Sequence, residues 1–198
     1  MSRLAILPLV CVVVTALAGP AVAQELDAGA SQVSLVFADV LVGGDRSTAQ
    51  RFTFTGLSGN VSEAGAAEVR IALDTLGSGV DARDERLRAF LFETGLFGTD
   101  ESPEATITAT VPVEAMQPGS HLVGLPIEIS LHGDSAHHTV PVRIGTDEGT
   151  VRVTAVEPIV VDAADYALEG GIAQLVGLAR LLLIPTSVQV SFSLSFGR

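Results

Sequence analysis

The sequence predicts an all-β protein: an extended eight-stranded antiparallel barrel with one or two short helices capping it. Three observations carry this. Apolar residues recur at every second position in about eight runs, the period of a strand with one buried face. Clusters rich in glycine, proline and small polar residues, of hairpin length, separate most of those runs. Only two stretches, Asp81 to Phe92 and Asp165 to Leu183, repeat their apolar residues at helical spacing instead.

The chain opens on a leader. Arg3 precedes an apolar run from Leu4 to Leu17, and Ala21-Val22-Ala23 offers a small-residue cleavage site. Residues 1–23 are therefore expected to be a signal peptide and 24–198 the β-barrel domain. Cys11, the single cysteine, lies inside the leader after Val10, where a lipoprotein site would want a small residue. The remaining domain has no cysteine and is long enough to build its own core. The expectation is a periplasmic protein that does not span the membrane once the leader is gone.

Ser31 to Val42 and Arg51 to Thr55 read as the first two strands, and Gly56 to Gly65 as a turn. Val69, Ile71 and Leu73 then alternate with polar neighbours, and the glycine-flanked Ser78 reads as a turn. In the helix that follows, Asp81 is placed to cap, Asp84 and Glu85 favour the N-terminal dipole, and Gly95 is a stop. Val80, Leu87 and Leu91 share its apolar face, with Phe90 beside them. Arg83 falls about 40° from Leu87 on the helical wheel. It therefore turns with the apolar face and, once buried, must be paired. A salt bridge is the commoner arrangement; a clamp on a ligand headgroup is the functional one. Phe90, Leu91, Phe92 and Phe97 pack the helix onto a barrel end, close a cavity, or both.

Strands follow at Ile107–Val113, Leu125–Leu131, Val140–Ile144 and Val151–Ala155, with turns at Pro118-Gly119, His132-Gly133-Asp134 and Gly145 to Gly149. The second helical pattern places Ile172, Leu175, Val176 and Ala179 together; its apolar core is too short to cross a bilayer. The last run, Val188 to Phe196, alternates most cleanly.

Several functions are disfavoured. A net charge of −12, made more negative by loss of Arg3, argues against nucleic acid and anionic headgroups. An outer-membrane barrel needs aromatic girdles, and this chain has no tryptophan and one tyrosine. There is no G-x-S-x-G elbow and no cysteine nucleophile, so no catalytic residue is assigned. His132, His137 and His138 sit around one hairpin, but neighbours on a strand face opposite ways. They read as exposed polar residues in a turn, and no metal or cofactor is expected.

One pattern is more specific. Val69 to Leu76 forms a V-x-I-x-L-x-T-L strand; Arg83-Asp84 with Leu87 and Leu91-Phe92-Glu93 follow. A proline-led strand at Pro103–Ile107, the run Gly124–Gly133 and the pair Asp165-Tyr166 complete the pattern. The chain thereby resembles the YceI-like family of exported, lipocalin-like lipid-binding proteins over nearly all of residues 24–198. It departs from the family in carrying Ala30 before Ser31, where many members have histidine, and in an apparent insertion at Gly98 to Ser102. The resemblance implies a barrel around an apolar tunnel and a carrier or sequestering role for an isoprenoid lipid, either an isoprenoid quinone or a polyprenol. Candidate ligand-binding residues are Phe37, Phe54, Arg83, Asp84, Leu87, Phe90, Leu91, Phe92 and Tyr166. The alternative is a ligand-free interaction or stress-response protein with a filled barrel, partnering a membrane-bound redox protein.

Overall fold

A computed structural model describes residues 23–37, 41–42, 45–46, 49–89, 104–179 and 185–197. In chain order the strands are β1 (Gln24–Leu26), β2 (Gln32–Phe37), β3 (Leu41–Val42), β4 (Asp45–Arg46), β5 (Gln50–Phe54), β6 (Leu57–Val61) and β7 (Ala66–Ala72). Then come β8 (Leu76–Gly77), β9 (Glu104–Thr110), β10 (Gly119–Leu131), β11 (Asp134–Asp147), β12 (Thr150–Ala155), β13 (Ile159–Asp162) and β14 (Ser187–Gly197). Helix α1 (Asp81–Leu87) follows β8, and α2 (Glu169–Ala179) precedes β14.

Strands β1, β6, β7, β9, β10, β11, β12 and β14 pair antiparallel in that order, and β14 pairs back onto β1. The predicted eight-stranded closed barrel is thus what the chain builds. Around one end, β2 pairs with β14 and β5, β5 with β8, and β13 with β14, so the wall is prolonged beyond the ring.

The seam between the chain's two ends closes the barrel. Glu25 lies opposite Gly197 and Leu26 opposite Phe196. The Asp27 N–H then donates to the Ser195 carbonyl at 2.8 Å. A 3₁₀ turn, Ala28–Ala30, interrupts the edge, capped by the Asp27 carboxylate, which accepts from the Gly29 and Ala30 N–H groups. The Ser195 N–H, left without a backbone acceptor there, donates to Ser31 Oγ at 2.9 Å. The ladder resumes with Ser193 opposite Gln32.

Alternation decides what faces inward. Val188, Val190, Phe192, Leu194 and Phe196 point inside along β14, and Val33, Leu35 and Phe37 along β2. The interior divides in two. Toward the β1 end, Val61, Val111, Val142, Ile144, Val151 and Phe196 are all buried and plug the barrel. Toward the β2 and β13 end it remains hollow.

Five expectations are corrected. Gly56 to Gly65 is not simply a turn: Leu57–Val61 is a ring strand paired on both sides, and the reversal is confined to residues 62–65. Val113 leaves the strand for a 3₁₀ turn, Val113–Met116. Asp81 does not cap α1; Val80 occupies that position without a side-chain bond, and its side chain is exposed. His137 and His138 lie on β11 rather than in a turn. His137 is exposed, while His138, opposite Ile127, is half-buried on the inner face. Of the longer helical patterns, α2 keeps Glu169–Ala179, and Asp165 falls in a 3₁₀ turn, Ala163–Tyr166. The actual hairpin turn is His132-Gly133, with φ of 54° and 88°, the left-handed pair that a two-residue loop requires.

Ser195 is only 4% exposed, so removing its acceptor strands a buried N–H. Ser31→Ala is expected to cost about 1–3 kcal/mol, lowering Tm by about 2–4 °C for each of those kcal/mol. Ser31→Thr, which keeps the hydroxyl, is expected to retain most of the stability in the same thermal melt.

Candidate functional site

The hollow end holds a cavity of about 140 Å³. Val33, Leu35 and Phe37 of β2, Ala105 and Ile107 of β9, and Val188 and Val190 of β14 form its ladder side. The opposite side is a lid of chain between β13 and β14: Ala163 and Tyr166 from the 3₁₀ turn, Leu168, and Ile172 from α2. The surface it offers is almost entirely carbon. Such a space excludes water, which needs two to four polar partners, and favours an apolar guest.

Phe37, Phe54 and Tyr166 all line this cavity. Phe37 is held by Phe52, whose ring meets it edge-on at 5.4 Å between centroids and an interplanar angle of 84°. Tyr166 is fully buried, and its hydroxyl has no hydrogen-bond partner among the described residues. Burial, aided by the neighbouring negative charge of Asp165, pushes the phenol up to about 12. It is therefore a neutral donor throughout the physiological range.

Arg83 and Asp84 do not line the cavity. Asp84 is the buried one, at 3% exposure. The Ser78 N–H donates to its Oδ2 at 2.8 Å and the Ser78 hydroxyl to its Oδ1. Burial alone would raise this carboxyl; the two Ser78 bonds, with the charges of Arg88 and Arg83, outweigh it and hold it below the ordinary value. Asp84 is thus the anchor that ties α1 to the turn after β8. Arg83 is half-buried, and no carboxylate among the described residues lies within ion-pair distance of it. The expected buried salt bridge is not made among these residues. The side chain of Leu87, and Phe90, Leu91 and Phe92 altogether, fall outside the described residues. Ile71, Val188 and Val190, which alternation marked only as apolar strand positions, line it too, as do Val33, Leu35 and Val161, which the sequence reading did not single out. Among the described residues no cluster of three or more His, Cys, Asp or Glu is placed to hold a metal.

The model of the YceI-like domain matches residues 25–196. The chain belongs to that family. A polyisoprenoid binding domain from Saccharophagus degradans, implicated in plant cell wall breakdown, is 31% identical with a TM-score of 0.76, over 88% of this chain and 97% of that one. BcnA of Burkholderia cenocepacia shares the YceI-like fold at 16% identity and a TM-score of 0.61, over 86% and 98% of the two chains. No curated protein matches the chain.

Two titrations follow from the buried groups of this YceI-like domain. Tyr166 has a folded value near 12 against an ordinary 10.0. Its contribution to stability is complete below pH 10 and is lost between about 10 and 12, by up to about 2.7 kcal/mol. As it is the only tyrosine, tyrosinate absorbance of the native protein is expected to titrate near 12, and Tyr166→Phe to abolish both the signal and that alkaline loss. Asp84 runs the other way. Its folded value lies below 3.8, so its contribution is present above 3.8 and disappears as pH falls through the folded value. Amide exchange at Arg83 to Leu87 is expected to accelerate there, ahead of β10 and β11.

Proposed function

We propose that this protein is an exported, non-enzymatic carrier or sequestering protein that holds an isoprenoid lipid in the apolar cavity. The observation that supports it most is the carbon-walled space at one end of an otherwise plugged barrel, in a chain 31% identical to a polyisoprenoid binding domain. Burial drives binding: each methylene transferred from water contributes about 0.8 kcal/mol, offset by the cost of ordering the chain.

The charge pattern favours a neutral cargo. Among the described residues no cationic side chain lines the cavity, and the net charge of −12 repels a phosphate or diphosphate headgroup. A quinone or a polyprenol meets neither obstacle. Size sets a further condition. A cavity of about 140 Å³ takes a guest of about benzene size, close to one five-carbon unit. A longer chain must displace part of the wall. The ladder side resists, because its strands are paired on both edges. Among the described residues the lid side has no sheet partner of its own and is tied by bonds such as Ala163 N–H to the Thr186 carbonyl at 2.8 Å, Leu168 N–H to the Ala163 carbonyl at 3.0 Å, and Ala164 N–H to the Asp162 carboxylate at 3.0 Å. The lid is the wall that yields. The plugged half supports the other reading, a ligand-free protein docking on a membrane-bound redox partner from the periplasm.

Mass spectrometry of lipids extracted from protein purified without detergent from its exported compartment separates these readings. A stoichiometric isoprenoid quinone or polyprenol is expected. A folded protein that carries no lipid and takes up none on titration supports the interaction reading. Val188→Trp, filling the cavity from β14, is expected to weaken uptake of an added isoprenoid quinone at least about tenfold (about 1.4 kcal/mol). Overpacking is expected to cost it about 1–3 kcal/mol in stability.

A further inference from the structure

The barrel is closed at its plugged end and split at its hollow one. Strand β12 pairs with β11 over Val142 to Asp147, and the Val156 N–H donates to the Pro141 carbonyl at 2.9 Å. Beyond that bond the two strands part. The chain continues from β12 into β13, which pairs with β14. Along Asp134 to Val140, β11 has β10 on one edge and no strand on the other among the described residues. The Pro141 carbonyl points toward β12, so alternation turns the N–H and C=O groups of Ser135, His137 and Thr139 into the same gap. A slit therefore runs between β11 and β13, and the lid lies across it with its 3₁₀ turn packed against β11.

The lid is fastened on one side. Its root is β13, whose ladder on β14 is extended by the Ala163 N–H to the Thr186 carbonyl. Other bonds, such as Ala164 to Asp162, Leu168 to Ala163 and Ile172 to Leu168, stay within the lid and its root. Among the described residues no hydrogen bond crosses from the lid to β11. That seam is held by packing. Ala167, the joint between the 3₁₀ turn and α2, stands at φ 53°, where an L side chain is strained. The closed position also seals the Tyr166 hydroxyl without a partner among the described residues, and swinging out hydrates it.

We infer that the lipid enters and leaves sideways through this slit, the lid swinging on its β13–β14 root and parting from β11. The inference rests on the carrier reading above and names its gate. The plugged end offers no axial route, since Val61, Val111, Val142 and Ile144 fill it. Parting the ladder side breaks strand-to-strand bonds; parting the lid from β11 breaks none among the described residues.

Residues 24–198 contain no cysteine, so introduced pairs are the sole thiols for a bis-maleimide bridge. The seam pair is Thr139→Cys with Ala167→Cys, one on the free edge of β11 and one on the lid, both exposed. The root pair is Val160→Cys with Gln189→Cys, direct partners across β13 and β14 and both exposed. Uptake of an isoprenoid quinone is followed by quenching of the single tyrosine, Tyr166. Bridging the seam is expected to slow uptake at least about tenfold against the same variant unbridged, as for a gate that must open. Bridging the root is expected to leave the rate unchanged. A bridged seam that loads as fast as its unbridged form assigns entry to the barrel mouth and overturns the inference, as do two bridges that slow uptake alike; the carrier reading then stands. No uptake by wild type overturns both. Should bridging unfold the protein, the same pairs carrying spin labels decide. The seam pair is expected to separate when quinone is added and the root pair to hold its spacing; a seam pair that does not separate overturns the inference.

Discussion

Closure of β14 onto β1 and β2 is the constraint on which the rest depends. An open sheet would present rows of unpaired N–H and C=O groups; a closed one presents none. Here the closure joins residues as far apart in sequence as Ser31 and Ser195. Contacts of such sequence separation raise the contact order and carry a loop-closure cost. The seam also carries a defect, the Ala28–Ala30 turn, where a side-chain hydroxyl replaces a backbone acceptor. That defect lets the first edge of the barrel change course between its two halves. Below it the chain packs as a plugged core; above it β2 and β5 prolong the wall around the cavity.

The division separates stability from function. A cavity of about 140 Å³ costs about 3 kcal/mol relative to a filled one, at about 24 cal/mol per Å³. That is a large share of a domain's net stability of about 5–15 kcal/mol. The plugged half, with Val142 and Ile144 at 0% exposure, offsets it. The same cost becomes driving force when an apolar guest restores the missing contacts. Larger side chains at Ala105 or Val161 would remove both the cost and the site. The modest size of the residues at these two lining positions leaves the space open.

Much of this was legible in the sequence, for a definite reason. A period of two identifies strands and their inward faces without reference to tertiary context, and β14 shows how far that goes. It cannot say whether the space between inward faces is filled, so Val188 and Phe196 looked alike although one lines the cavity and the other plugs the barrel. Strand β6 was hidden by its glycines. Gly59 is needed because a Cβ there would come within 2.3 Å of the Glu68 carbonyl oxygen, so a strand position reads as a turn. On α1, the helical wheel pointed at Arg83, whereas the structure buries Asp84. The decisive factor was local: Ser78 offers two donors, which satisfy a carboxylate and could not satisfy a guanidinium. Tyr166 lies in a 3₁₀ turn, where no period speaks for its burial. Its place at the site was reached only through the pattern around Asp165-Tyr166.

On the proposed reading, affinity comes from the carbon wall. The carbon surface attracts any hydrocarbon in proportion to area and discriminates little between chains. Selection requires a group whose satisfaction depends on what the guest carries, and that group must be dry to count. A cation would supply such a group for phosphates, but it would also have to be desolvated in a chain whose charge is already −12. The acidic exterior adds a second filter by disfavouring contact with anionic headgroups. An apolar wall without a cation among its described residues, beneath an acidic surface, therefore favours the neutral cargo proposed above over a phosphorylated one.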